Sequence, residues 1–198
     1  MAHKDSKFIH ISTDYVFDGN ANSAYTENFQ THPINHYGAS KLEGEKQAFQ
    51  FNPDSIVMRS SWVYSEFGKN FVKTMLELMT RKNEISVVND QLGSPTYAAD
   101  LAETILKIIS SGKWQPGIYH YCNAGVINWY EFAQAICEIS GNQTKINSIT
   151  TSQYPTSALR PAYSVLATGK IQNSFGIAPK NWKESLVVCI EKLTQKLS

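Results

Sequence analysis

Phe8-Ile9-His10-Ile11-Ser12 is a short, mostly apolar run, and Thr13-Asp14-Tyr15-Val16-Phe17-Asp18-Gly19 follows it at once. The run predicts a strand whose carboxyl end delivers Thr13 straight into a loop. A polar stretch rich in Asn and Thr continues to Pro33, and Asn35 is placed to cap a helix from His36 to about Gln50. Glu43, Glu45 and Lys46 are read as the wet side of that helix. A strand that feeds a helix is the unit of an α/β fold.

The alternation repeats along the chain. Ser55–Arg59 is a second strand, with Ser60-Ser61-Trp62-Val63-Tyr64 leaving its carboxyl end. A helix is expected from about Lys69 to Lys82, where Phe71, Met75, Leu78 and Met79 recur at helical spacing. Ile85–Asn89 is a strand leading into Asp90-Gln91-Leu92-Gly93-Ser94-Pro95-Thr96, and a helix from Ala98 to Ser110 stops at Gly112. Ile118–Asn123 reads as a strand, Trp129–Ile139 as a helix and Lys145–Thr150 as a short strand. The final helices are expected near Leu166–Asn173 and Trp182–Leu197. The whole predicts a doubly wound, mostly parallel sheet, with the last third forming a small lobe over it.

The 198 residues are enough for one sizeable core, and 42% hydrophobic with 18% charged residues is ordinary for a globular protein. A formal charge of +1 gives no electrostatic reason to expect nucleic acid or a membrane surface as partner. Cys122, Cys137 and Cys189 are odd in number and widely spaced, as expected of reduced core cysteines in a cytoplasmic protein. The five histidines show no metal-ligand spacing, so no metal site is expected. Residues 1–198 show no signal-peptide pattern and no apolar run near ~18 residues, so neither export nor membrane insertion is expected.

Tyr37-Gly38-Ala39-Ser40-Lys41 holds the candidate chemistry. A phenol and an ammonium four residues apart share one helical face. Tyrosine in water titrates near ~10, and a neighbouring cation favours the phenolate, which suits the pair to give a proton to a carbonyl under reduction. In open α/β sheets ligands sit beyond the carboxyl ends of the strands, so Thr13 and Trp62 are expected at one crevice with this helix. Other readings stand beside these. Tyr37 and Lys41 fit an amphipathic tyrosine beside a solvated lysine, Thr13 and Asp14 a turn cap, and Trp62 and Tyr64 two core aromatics.

The segments Ser12–Gly19 and Tyr37–Lys41 together resemble the extended short-chain dehydrogenase/reductases. Arg59–Tyr64, Asn70-Phe71-Val72, Asp90–Thr96 and Arg160-Pro161 extend the likeness to the dTDP-4-dehydrorhamnose reductases within them. The resemblance implies a Rossmann-like sheet with a substrate lobe, an NADPH or NADH cofactor, and a dTDP-linked 4-keto-6-deoxy sugar as substrate. By it Tyr37 is the proton donor, Lys41 assists it and holds the nicotinamide ribose, and Thr13 hydrogen-bonds the carbonyl oxygen. Asp14, Tyr15 and Trp62 are implied to line the sugar pocket, and Asn70, Gln91 and Arg160 the nucleotide end. For Arg160 a surface ion pair is the competing reading. Other nucleotide-sugar epimerases, dehydratases or reductases share the fold, as do non-catalytic binding subunits; a pure binder need not keep Thr13, Tyr37 and Lys41.

Neither Gly-x-Gly-x-x-Gly nor Gly-x-x-Gly-x-x-Gly occurs in the chain. The family places such a turn after its first strand to receive the cofactor pyrophosphate. Residues 1–198 are therefore expected to correspond to the C-terminal portion of such a reductase, with negligible NAD(P)H affinity alone. The flank Phe8–Ser12 is expected to lack a neighbouring strand and to favour self-association.

Overall fold

A central strand buried over its whole length organises the molecule: Ile56, Val57, Met58, Arg59 and Ser60 are each inaccessible to solvent or nearly so. The computed structural model describes residues 6–156 and 159–195. In chain order the elements are β1 (Ile9–Thr13), α1 (His36–Phe51), β2 (Ile56–Ser60), β3 (Val63–Tyr64), α2 (Phe71–Arg81), β4 (Glu84–Val88), β5 (Leu92–Gly93), β6 (Thr96–Tyr97), α3 (Ala98–Ser110), β7 (Gly117–His120), β8 (Ile127–Asn128), α4 (Trp129–Ile139), β9 (Lys145–Ile149), α5 (Gly169–Phe175) and α6 (Trp182–Gln195). A 3-10 turn, Asp14–Val16, follows β1 directly, and another, Thr151–Gln153, follows β9.

The main sheet is parallel, in the order β1-β2-β7. Its register sets Thr13 opposite Ser60, so β1 and β2 release their loops at the same edge. Buried Ile56, Met58, Tyr119, Leu101 and Ile108 join the sheet to α3. Three shorter ladders complete the strands: β3 with β6 and β4 with β9 are parallel, and β5 with β8 is antiparallel. The two-residue strands are too short to leave a periodic trace in sequence.

The lobe is assembled from α2, α4, α6, β4 and β9 around Val72, Met75, Phe132, Ile136 and Leu186. It therefore recruits the middle of the chain as well as the last third, and α5 returns to pack on β7. α5 begins at Gly169, not near Leu166, because Val165 and Ala167 are committed to backbone bonds with Tyr25. α2 starts after Asn70, whose side chain accepts from the Lys73 amide. Residues 196 and 197, expected at the end of the last helix, lie outside the described residues. One charged position differs in kind from its expected place. Glu45 is 2% exposed, turned inward to Arg59, and does not belong to the wet side of α1. Tyr64 is a core residue, while Cys122, Cys137 and Cys189 are buried free thiols. Among the described residues no helix is long and apolar enough to cross a membrane.

Candidate active site

Two adjoining cavities open at the carboxyl ends of β1 and β2. The first, about 590 Å³, is lined by Thr13, Asp14, Tyr15, Tyr37, Lys41, Trp62 and Arg160, with Asn35, Ser60 and Trp129. The second, about 500 Å³, is lined by Asn70, Gln91, Trp62, Trp129, Tyr154 and Arg160 among others. Trp62, Val63, Trp129 and Arg160 line both, so the cavities form one cleft. Every residue singled out from sequence touches one cavity or the other.

Local structure explains the placement. Asn35 caps α1, its Oδ1 accepting from the Gly38 amide at 2.8 Å, and its Nδ2 donates to the Leu159 carbonyl at 3.0 Å. That cap ties the start of the Tyr37 helix to the segment that carries Arg160. Gly38 permits α1 to press on the turn after β1, since a Cβ there would run into the Tyr15 carbonyl. Tyr37 stays 54% exposed, its ring edge-on to Tyr15 at 5.7 Å. Lys41 Nζ donates to the Ile11 carbonyl at 2.6 Å, which holds the ammonium at the end of β1.

Thr13 Oγ1 accepts from the Tyr15 amide at 3.2 Å and donates to Asp14 Oδ1 at 3.0 Å. The residue thus caps its turn and faces the cavity. Asp14 is buried, and its Oδ2 has no hydrogen-bond partner among the described residues. Burial pushes its carboxyl up to about 7, against the opposing hydrogen bonds of Thr13 and Ser164. Burial also raises the Tyr15 phenol, an effect partly offset by the Arg160 guanidinium that hydrogen-bonds it.

Trp62 is the one described non-glycine residue at positive φ, +48°. Its indole stacks on Trp129 with centroids 3.6 Å apart and planes at 12°. Gly93 makes room for this ring, because a Cβ there would lie 2.6 Å from Trp62 Cε2. A bulky residue held at such a φ is locally strained, a feature that gathers at ligand sites. Asn70 and Gln91 are more committed than sequence suggests. The Asn70 amide donates to Ser65 and Phe67 carbonyls, and Gln91 Nε2 donates to Thr151 Oγ1 at 3.0 Å. Trp129, Tyr154 and Asn35 were not read as site residues. For Trp129 the available signal was a tryptophan just after the capping-box residue Asn128, although nothing local says which way it faces.

A parallel sheet, a cleft at its carboxyl edge and a helix presenting Tyr37 and Lys41 to that cleft define a Rossmann-like α/β protein. More narrowly, the chain belongs to the family described as RmlD substrate binding domain, which matches residues 1–195. The Bacillus subtilis spore coat polysaccharide biosynthesis protein SpsK is 48% identical over 181 residues, covering 91% of this chain and 62% of that protein. A solved dTDP-4-dehydrorhamnose reductase from Clostridium acetobutylicum superposes with a TM-score of 0.92 at 40% identity, over 96% of this chain and 66% of its own. The enzyme of that name from Bacillus anthracis, solved with NADP, gives 0.88 at 38% identity over 94% and 66%. The chain thus spans less than two thirds of the length of each of these relatives.

Proposed function

We propose that this protein acts in the NAD(P)H-dependent reduction of dTDP-4-dehydro-L-rhamnose to dTDP-L-rhamnose, a precursor of surface polysaccharide. The observation that carries this reading is the convergence of Thr13, Tyr37 and Lys41 on one cavity that continues into a second, lined by Trp62 and Arg160. The names of the relatives supply the sugar.

The keto sugar sits in the first cavity, against Asp14, Tyr15 and Trp62, with its carbonyl oxygen toward Tyr37. A reduced nicotinamide, when bound, supplies the hydride. Tyr37 Oη gives its proton to the oxygen as negative charge grows there. Thr13 turns its single O–H from Asp14 to the same oxygen, and a donor aimed at developing charge is worth several kcal/mol in a transition state. Lys41 has three N–H groups, of which one is engaged by Ile11, so the others remain for the phenol and for ribose hydroxyls. Arg160, at the join of the cavities, offers its fork of donors to the diphosphate, with Gln91 and Asn70 at the nucleotide end.

These residues fit the nicotinamide-ribose end of the cofactor, since Tyr37 is open to solvent beside Lys41. They offer no glycine-rich cradle for its pyrophosphate, so residues 1–198 alone bind NADPH negligibly; a micromolar calorimetric isotherm would contradict this. Among the described residues β1 pairs only with β2, and beside its outer flank lies a groove of about 410 Å³ lined by Phe8, His10, Ala48 and Phe51. The chain alone is therefore expected to self-associate there.

The test is to express the full-length gene product and follow NADPH absorbance with dTDP-4-dehydro-L-rhamnose. Substrate-dependent oxidation with dTDP-L-rhamnose as product supports the reading. No turnover of this sugar, with a folded protein, overturns it.

A further inference from the structure

Glu45 lies four residues beyond Lys41 and eight beyond Tyr37, on the same face of α1. That face descends from Tyr37, 54% exposed, to Glu45, 2% exposed. Glu45 Oε1 accepts from Ser12 Oγ at 2.5 Å and from Arg59 Nε at 2.8 Å, and Oε2 accepts from Arg59 Nη2 at 2.6 Å. Ser12 immediately precedes Thr13 in β1, and Arg59 stands in β2 three residues before Trp62. One carboxylate thus bonds the helix bearing Tyr37 and Lys41 to the two strands that deliver Thr13 and Trp62. Arg59 is itself 2% exposed, with its guanidinium 5.1 Å from the Phe17 ring and Nη1 without a hydrogen-bond partner among the described residues.

A buried ion pair contributes little net stability compared with an apolar pair of similar volume, so packing alone does not explain this one. Its bonds are directional, and an apolar pair would not reproduce them. With Lys41 tied to Ile11 above and Glu45 tied to Ser12 and Arg59 below, α1 is prevented from sliding or rotating along β1.

We propose that Glu45, through Ser12 and Arg59, is a positioning residue of the reaction, setting Tyr37 and Lys41 against Thr13. This rests on the reductase reading. Glu45 lines neither cavity of the cleft.

The test uses the full-length protein with NADPH and dTDP-4-dehydro-L-rhamnose. A charge-free Glu45→Met/Arg59→Met variant is expected to melt near wild type and to keep its KM for the sugar, while kcat falls ~10- to 100-fold. Ser12→Ala is expected to lower kcat severalfold and Ser12→Thr to restore it, which decides the matter should the double variant not fold. Wild-type kcat in Ser12→Ala, or in a folded double variant, overturns the positioning role alone. An inactive wild type, or undiminished turnover in Tyr37→Phe, instead overturns the reductase reading and this proposal with it.

Discussion

At Asp14 a buried carboxyl, with one oxygen lacking a hydrogen-bond partner among the described residues, is held beside the Thr13 hydroxyl. Its folded-state value, pushed up to about 7 by burial, lies above that of an unfolded aspartate. Below about pH 4 both states are protonated and the stabilisation is fully present. Between about 4 and 7 the native state keeps a proton that the unfolded chain releases, so stability falls as pH rises. Urea unfolding should show wild type losing up to about 4 kcal/mol across that window relative to Asp14→Asn. A flat difference between the two would contradict it. The candidate residues Thr13, Tyr37 and Lys41 were legible in sequence through the joint resemblance of Ser12–Gly19 and Tyr37–Lys41, since the Tyr37/Lys41 spacing alone fits an amphipathic tyrosine beside a solvated lysine equally well. Their partners were not: that Gln91 is spent on Thr151, or that Trp62 stacks on Trp129, depends on segments brought together only by folding.

At the scale of elements, α1 makes the sharpest prediction. In an exposed helix interior Gly→Ala stabilises by roughly 1 kcal/mol. Gly38→Ala should have the opposite sign, destabilising by about 1–3 kcal/mol in chemical denaturation, because the new methyl meets the Tyr15 carbonyl. A stabilised variant would show that α1 does not press on that turn. The cap of α4 is a milder case. Asn128→Ala removes one half of a capping box and should cost ~1 kcal/mol by the same measurement. The Asn35 cap was readable because a cap acts over three residues, whereas Asn70 and Asn128 were not read as caps. Glu45 was misread for the converse reason. A glutamate among Glu43 and Lys46 looks solvated, and its counter-ion lies 14 residues on, in another element. The overlooked clue was Arg59 itself, a charge at the end of an apolar strand, which requires a buried partner.

The molecule as a whole is a sheet and a lobe with the cleft between them, and the chain crosses from one to the other repeatedly. The parallel sheet followed from the strand–helix alternation, whereas the make-up of the lobe did not, because α2, α4, α6, β4 and β9 come from separated stretches. At this scale self-association is also tested: light scattering on residues 1–198 at tens of micromolar should show dimers or larger species. A strict monomer would indicate that the outer flank of β1 is tolerated uncovered.

The central claim is that Tyr37 Oη delivers the proton that completes reduction, and the most direct test is the rate of NADPH oxidation by the full-length Tyr37→Phe protein, alongside its affinity for the dTDP-sugar. Turnover should fall by about 100- to 10,000-fold with affinity near wild type. Wild-type turnover from a protein without that phenol would contradict the claim.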